Sequence, residues 1–376
     1  MTESIPSLPN AEKICRIREP HVWSEEKSRL MVAACREMAM FHERRCPELS
    51  FLYRRRGFDP ASLKEETDIG KLPMLGVTAM KRYLLTSLPQ DRAALKLTSS
   101  GTRGQKTQIW FDPESLDRCQ AMLSSQWEEE GLVSQEPTNY LMFVYDPREA
   151  KDLGIAFSDK NQQRFAPVAR SFYAIRKNPQ GEWAFQKQDA LRALREFSTE
   201  GRPVRIFGIP SFIHDLLDEI SEPIVLPPGS WMVTGGGWKA AEDKRVSRDF
   251  FRRRASESFG LPLERIRDGY GMAEHSAPYI ECRRHRFHVP AYCRVLIRDP
   301  LTLEPAPPGR TGLLELVAPY NAMMPNLAIL STDMGFHHED PCPCGYNSPT
   351  FALVGRGGLT KHKGCAIHAG EIVQRN

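Results

Sequence analysis

Thr98-Ser99-Ser100-Gly101-Thr102-Arg103-Gly104-Gln105-Lys106-Thr107 has the chemistry of a phosphate-binding loop. Its glycines let backbone amides curl toward a ligand, its hydroxyls donate to phosphoryl oxygens, and its cations offset their charge. It is not the P-loop of nucleoside triphosphatases, which requires Gly-x-x-x-x-Gly-Lys-[Ser/Thr]. Gly101 and Gly104 stand too close together, and Gln105 separates Gly104 from Lys106. Composition alone would equally describe a flexible polar loop, so the reading depends on the surrounding chain.

Downstream, Asp112-Pro113-Glu114-Ser115 caps a helix expected over 114–130. Short apolar strands then alternate with helices: a strand at 140–145, a strand at 204–208 with a Ser211-capped helix to Ile220, and a strand at 231–234 with a helix near 239–259. That alternation predicts an α/β fold with a largely parallel sheet flanked by helices. Residues 288–335 are Pro-rich and strand-like, with 312–317 the clearest strand, and predict a smaller β-rich subdomain. Upstream, a helix is expected over 23–48. Ser24 caps it, Glu25 and Glu26 sit at its positive end, and Leu30, Ala34, Met38 and Phe41 recur at helical spacing. A shorter helix is expected over 78–85.

The chain has 376 residues, 41% of them apolar, enough for a packed core of one large or two ordinary domains. Lys plus Arg (51) barely exceed Asp plus Glu (47), which argues against a basic stripe and so against nucleic-acid binding. The longest apolar run, 140–145, falls far short of the ~20 residues of a membrane helix, so no membrane span is expected. The first residues carry neither a positive start nor an apolar run, so no signal peptide is expected and the location reads as cytoplasmic. Nine scattered cysteines, an odd number, predict thiols with individual fates and not a disulfide framework.

Further segments sharpen the reading of the loop. Ser99-Ser100-Gly101-Thr102 with Gly104, then Asp268-Gly269-Tyr270-Gly271-Met272-Ala273-Glu274, then Thr332-Asp333, then Gly355-Arg356 resemble, in order, four motifs of the adenylate-forming enzymes. The chain departs from that pattern where Arg103 replaces a hydroxyl residue and where the usual Pro-Lys pair becomes Lys106-Thr107. The resemblance implies the large N-terminal domain of that fold over 1–354, with mixed sheets flanked by helices and its β-rich subdomain at about 288–335. It implies that Thr98, Ser99, Ser100, Gly101, Thr102, Gly104 and Thr107 hold ATP phosphates, with Lys106 as the loop lysine. By the same resemblance Tyr270 and Gly271 lie against adenine, Glu274 ligates Mg²⁺ and Asp333 binds the ribose hydroxyls. Arg356 opens the hinge beside the nucleotide. Thr234-Gly235-Gly236-Gly237-Trp238-Lys239 points further, to the acyl-protein synthetases (long-chain-fatty-acid–protein ligases) of the bacterial luminescence fatty acid reductases and, more distantly, to phenylacetate–CoA ligases. Gly236 and Gly237 would form the floor under adenine and acyl chain, although a tight strand-to-helix turn accounts for the same residues.

Only about twenty residues follow Arg356, so the C-terminal domain of the larger enzymes is expected to be missing, leaving a truncated hinge and tail over 355–376. Cys365 lies in that tail among Lys361, His362, Lys363 and His368. Nearby cations raise the thiolate fraction of a thiol, whose ordinary pKa is about 8.5, and a tethered thiolate is an intramolecular nucleophile. The resemblance makes Cys365 the acylated cysteine, with an acyl reductase as the protein partner that receives the acyl group. An inert tail cysteine is the structural alternative.

Cys342-Pro343-Cys344-Gly345 offers two soft ligands on a tight turn, and Cys282 with His288 or His285 would complete a Cys₃His zinc set. Its position between Asp333 and Arg356 makes the expected role structural. The alternative is a group of partly buried thiols. His337 and His338 read as a solvated turn, and His275 stands next to Glu274 within reach of phosphate. Together these residues predict ATP- and Mg²⁺-dependent activation of a carboxylic acid, most simply a fatty acid, followed by capture on Cys365. An enzyme using coenzyme A as acceptor and a non-catalytic nucleotide-binding partner of an acyl reductase are the two other readings.

Overall fold

Every residue of the strand Thr138–Tyr145 is buried, because it runs through the middle of a sheet covered on both faces. The computed structural model describes residues 7–98, 107–150, 163–238, 241 and 244–356. In spatial order the seven strands of this sheet are His275–Ile280, Ile266–Met272, Trp231–Gly235, Val204–Gly208, Thr138–Tyr145, Val168–Lys177 and Trp183–Phe185. The five central strands are parallel, and an antiparallel partner closes each edge. This is the α/β architecture that the strand–helix alternation predicts.

Successive side chains of a strand point to opposite faces, so a doubly covered strand must be apolar throughout. Leu141, Phe143 and Tyr145 join Ile206 and Met232 in a core formed with the helices Lys187–Thr199, Pro210–Leu217 and Arg248–Phe259. Tyr140, Met142 and Val144 face the other way, on the side where Trp127 of the helix Pro113–Glu129 packs on Trp231 and Val233. Truncating the fully buried Phe143 to alanine would cost about 3–5 kcal/mol.

A second sheet has the order Phe287–His288, Thr350–Arg356, Ala328–His337, Gly312–Val317 and Arg294–Arg298, with Leu75–Gly76 pairing alongside Ala328–His337. It is antiparallel except for that last pairing. It therefore takes in short segments from outside 288–335 at both ends of the chain. The helix Glu25–Arg45 packs into the same core through Met31, Ala34, Met38 and Phe41.

Helix starts follow the caps. Ser24 accepts from the Lys27 amide and Asp112 from the Ser115 amide. The expected Ser211 cap is not one. Pro210 takes the first helical position, has no N–H to satisfy and presets φ, so Ile209 is the N-cap and Ser211 lies inside the first turn. The helix expected from 239 begins at Arg248, where Ser247 accepts from the Phe250 amide. The short upstream helix runs over Val77–Arg82.

The N-terminal segment is latched to the far end of the chain. The Trp23 amide donates to Asn347 Oδ1 at 2.7 Å, Asn347 Nδ2 donates to the Trp23 carbonyl at 3.0 Å, and Trp23 Nε1 donates to the Val289 carbonyl at 2.9 Å. Among the described residues no helix is long and apolar enough to cross a membrane.

Candidate active site and metal site

In open parallel sheets ligands gather at the carboxyl ends of the strands, and Thr234, Gly235 and Tyr270 lie toward those ends. Thr234 and Gly235 lie opposite Asp268 and Gly269 on neighbouring parallel strands. The chain then turns through Gly236 and Gly237, whose φ values of +81° and +67° lie in the left-handed region that favours glycine. Gly269 is needed for closeness: a Cβ there would stand 3.3 Å from the Thr234 carbonyl oxygen.

Tyr270 projects from the end of this strand toward the second sheet. Its hydroxyl donates to Asp333 Oδ2 at 2.9 Å, and its ring lies 5.9 Å from Tyr279, 6.2 Å from Phe351 and 6.4 Å from Phe287. Asp333 is half-buried and stands opposite Arg356 in the antiparallel ladder, while Gly355 stands opposite Met334. Two motifs 63 residues apart thus meet across the two sheets.

Glu274 is buried and accepts from Thr107 Oγ1 at 3.0 Å. Its carbonyl accepts from Asn326 Nδ2 at 3.0 Å, and the same amide group donates to the Tyr320 hydroxyl at 2.9 Å. Thr107 is itself fully buried and follows the predicted phosphate loop. The strands on either side of that segment, Leu95–Thr98 and Gln108–Phe111, pair antiparallel, with Thr98 opposite Gln108. The loop residues Ser99, Ser100, Gly101, Thr102, Gly104 and Lys106 lie outside the described residues, as does Cys365. Thr107 brings one end of the loop against the predicted Mg²⁺ ligand.

A carboxylate that sequence reading did not single out sits at the centre. Asp268 Oδ1 accepts from Thr234 Oγ1 at 2.8 Å and from the Gly269 amide at 3.1 Å. Burial, reinforced by the negative charge of Glu281, pushes its pKa up from 3.8 to about 6. Glu281 accepts from the Asp268 amide at 2.8 Å and from Arg252 at 2.6 and 2.7 Å. The only sequence signal for this network was proximity, since Glu281 precedes Cys282 and Thr234 opens the glycine run. His275 takes a different place from the one its sequence position implied. It is fully buried and shares a 2.9 Å hydrogen bond with the Tyr279 hydroxyl. Desolvation pulls its pKa down to about 3, so it is a neutral core histidine.

Cys282, His288, Cys342 and Cys344 come together, all buried, with their ligand atoms within 4.8 Å of one another. Cys282 Sγ lies 3.6 Å from Cys342 Sγ, and Cys344 Sγ lies 3.2 Å from His288 Nε2. A Cys₃His tetrahedron with Zn–S of about 2.3 Å and Zn–N of about 2.1 Å has S–S edges of about 3.8 Å and S–N edges of about 3.6 Å, within a few tenths of an ångström of these separations. His288 Nδ1 lies 2.8 Å from Ser348 Oγ, a partner that fixes the ring and leaves Nε2 for a metal. The Arg284 amide donates to Cys282 Sγ at 3.4 Å, and Gly345 makes the turn with φ of +100°. Of the two candidate histidines the geometry selects His288. His285 sits at a left-handed φ of +59° and directs Nδ1 toward Glu281 at 3.8 Å. His337 is held at the end of its strand, with Nε2 2.8 Å from the Val295 carbonyl.

Comparisons with known proteins bear on the family and the fold. The family model described as acyl-protein synthetase, LuxE, matches residues 5–373. A long-chain-fatty-acid–luciferin-component ligase of Aliivibrio fischeri is 23% identical over 363 residues, covering 95% of this chain and 93% of the relative. The ligase of the same description from Vibrio harveyi is 24% identical over 304 residues, covering 80% and 78%. Among solved structures, a 2-hydroxyisobutyryl-CoA ligase in an open conformation with 2-HIB-AMP and CoA superposes with a TM-score of 0.65 at 15% identity, over 90% of this chain and 78% of that one. The same ligase in the thioesterification state gives 0.66 at 15% identity, over 90% and 69%. The fold is that of the adenylate-forming ligases, and the chain belongs to the LuxE family of acyl-protein synthetases.

Proposed function

We propose that this protein activates a carboxylic acid, of the fatty-acid class named for its relatives, with ATP, and transfers the acyl group to Cys365. The observation that carries the proposal is the convergence of four separated motifs at one end of the parallel sheet. Thr107 meets Glu274, Tyr270 meets Asp333, and Thr234 and Gly235 stand opposite Asp268 and Gly269. A substrate carboxylate oxygen attacks the α-phosphorus of ATP, and the bond to the β-phosphate bridging oxygen breaks to release pyrophosphate. The Cys365 sulfur then attacks the acyl carbon, the carbon–oxygen bond to AMP breaks, and the thiol proton passes to solvent. Mg²⁺, when bound, offsets charge on the phosphates. Glu274 fits it as an acidic ligand, already oriented by the Thr107 hydroxyl. The acyl group would go on to a reductase-type partner protein, and the eight free thiols among the described residues fit the reducing cytoplasm.

The Cys282–His288–Cys342–Cys344 set fits structural zinc, with three thiolates and one neutral imidazole as ligands. It would close the loop between the strands bearing Asp333 and Arg356. Metal analysis of protein purified without added metal is expected to return one zinc per chain, and its absence would refute this assignment.

The test of activity is the intact mass after incubation with ATP, Mg²⁺ and a panel of carboxylic acids, alongside Cys365→Ala. An added acyl group that the substitution abolishes and neutral hydroxylamine removes is the expected result. Pyrophosphate exchange without an adduct would move the acceptor to coenzyme A or a partner thiol. Absence of exchange with every acid would leave a non-catalytic nucleotide-binding role.

A further inference from the structure

We infer that Tyr320 and Asn326 are positioning residues that set Glu274 for Mg²⁺, by holding the turn that carries it in register with Thr107 at the end of the phosphate loop. The inference rests on the nucleotide-site reading above and adds to it the residues that place its acidic ligand. Glu274 lies in the turn between the strands Ile266–Met272 and His275–Ile280. Two backbone groups of that turn are gripped from one segment, 320–326. Asn326 Nδ2 donates to the Glu274 carbonyl at 3.0 Å and to the Tyr320 hydroxyl at 2.9 Å, and the same hydroxyl accepts from the Ser276 amide at 2.9 Å. Both side chains are buried. A carbonyl oxygen can only accept, so Asn326 meets it with its nitrogen, and both N–H groups of the amide are in use.

The same segment is fastened to the strand that follows Thr107. The Trp110 amide donates to Met324 Sδ at 3.0 Å, and Asn321 Nδ2 donates to the Trp110 carbonyl at 3.2 Å. The helix Pro113–Glu129 braces it as well: Arg118 Nε donates to the Tyr320 carbonyl at 2.6 Å, and the Ala322 amide donates to Ser115 Oγ at 2.8 Å. Thr107 and Glu274 are 167 residues apart in the chain, and segment 320–326 is a frame common to both. Thr107 meets the Glu274 carboxylate, whereas the frame acts on the backbone behind it. Mg²⁺ demands near-ideal octahedral geometry with ligands at about 2.0–2.1 Å. A turn loosened by a few tenths of an ångström therefore costs metal binding more than it costs nucleotide contacts made elsewhere in the site.

The experiment is calorimetric binding of ATP, with saturating Mg²⁺ and separately with EDTA, to wild type, Tyr320→Phe, Asn326→Leu, Glu274→Gln and the Glu274→Gln, Asn326→Leu double variant. Pyrophosphate exchange is measured in parallel against free Mg²⁺. Wild type is expected to bind ATP more tightly with Mg²⁺. Tyr320→Phe and Asn326→Leu should each cut that enhancement by about fivefold, the effect of one or two hydrogen bonds, with ATP binding in EDTA unchanged. Exchange should need about fivefold more Mg²⁺ and regain the wild-type maximum when Mg²⁺ saturates. In the Glu274→Gln background, Asn326→Leu should change the enhancement no further. Tyr320→Phe keeps its ring 6.4 Å from Phe111 and 6.2 Å from His275, and it carries the test by itself if Asn326→Leu does not fold. A folded variant that keeps the wild-type enhancement, or that weakens ATP equally in both conditions, overturns the inference while leaving the nucleotide site standing. Wild type that binds ATP equally with and without Mg²⁺ overturns the metal role of Glu274 along with it. Wild type that binds no ATP overturns the nucleotide reading itself.

Discussion

Replacing Asp268 with asparagine is expected to stabilise the fold at neutral pH and to leave it unchanged in acid. The carboxyl pKa rises from 3.8 to about 6 on folding, chiefly through burial and secondarily through Glu281. The protonated form is therefore favoured by the native state. That advantage is complete below the unfolded value and is lost as pH climbs through about 6. At ~1.4 kcal/mol per pKa unit, ionisation costs at most about 3 kcal/mol above pH 7. The side chain is 25% exposed, and solvent screening reduces the expected figure to roughly 1–2 kcal/mol. An amide at this position keeps an oxygen to accept from Thr234 and the Gly269 amide while carrying no charge beside Glu281. Urea denaturation of both proteins at several pH values between about 4 and 8 reads the difference directly. The stability gap should open as pH rises from about 4 to about 6 and then level off. A gap that is constant with pH, or a wild type that becomes the more stable protein at pH 8, would refute the reasoning.

Three other outcomes follow from the same geometry. Gly237→Ala meets no neighbouring atom, so its cost is that of φ at +67° alone, about 1–2 kcal/mol by thermal denaturation; a neutral result would mean the turn is not left-handed in solution. Glu281→Gln removes the charge opposite the buried Arg252 and should cost about 3–5 kcal/mol, with part of the loss recovered when Arg252→Met is added. His288→Ala should abolish the zinc content that His285→Ala preserves, measured by elemental analysis of the purified variants. The reverse pattern would exchange the two histidines.

Sheet class and most helix starts were legible because they depend on local physics. The apolar run at 140–145 must be buried on both faces, and Ser24 and Asp112 are capping residues followed by helix-compatible residues. Ser211 misled because a proline one residue earlier already starts the helix. What periodicity could not supply was partners. Nothing within 75–76 announces that it pairs with 329–330, and nothing around Asp268 announces the ionic network of Glu281 and Arg252. The clustering of Cys282, Cys342 and Cys344 with a histidine was legible as a set, but the choice between His285 and His288 required the left-handed turn at His285 that directs it away. Motif order placed Tyr270 and Asp333 in one site, yet their direct hydrogen bond depends on how two sheets meet.

The latch between Trp23 and Asn347 bears on biosynthesis. The partner of the Trp23 backbone is translated 324 residues later, so the N-terminal segment leaves the ribosome long before its bonding groups can be satisfied. Until then its amide and carbonyl are held by water, and Met31, Ala34 and Met38 wait for strands not yet made. Contacts of such long sequence separation are slow to form and leave apolar surface open in the interim. The nascent chain should depend on chaperones over this long interval and complete the segment around Trp23 only after Asn347 has emerged.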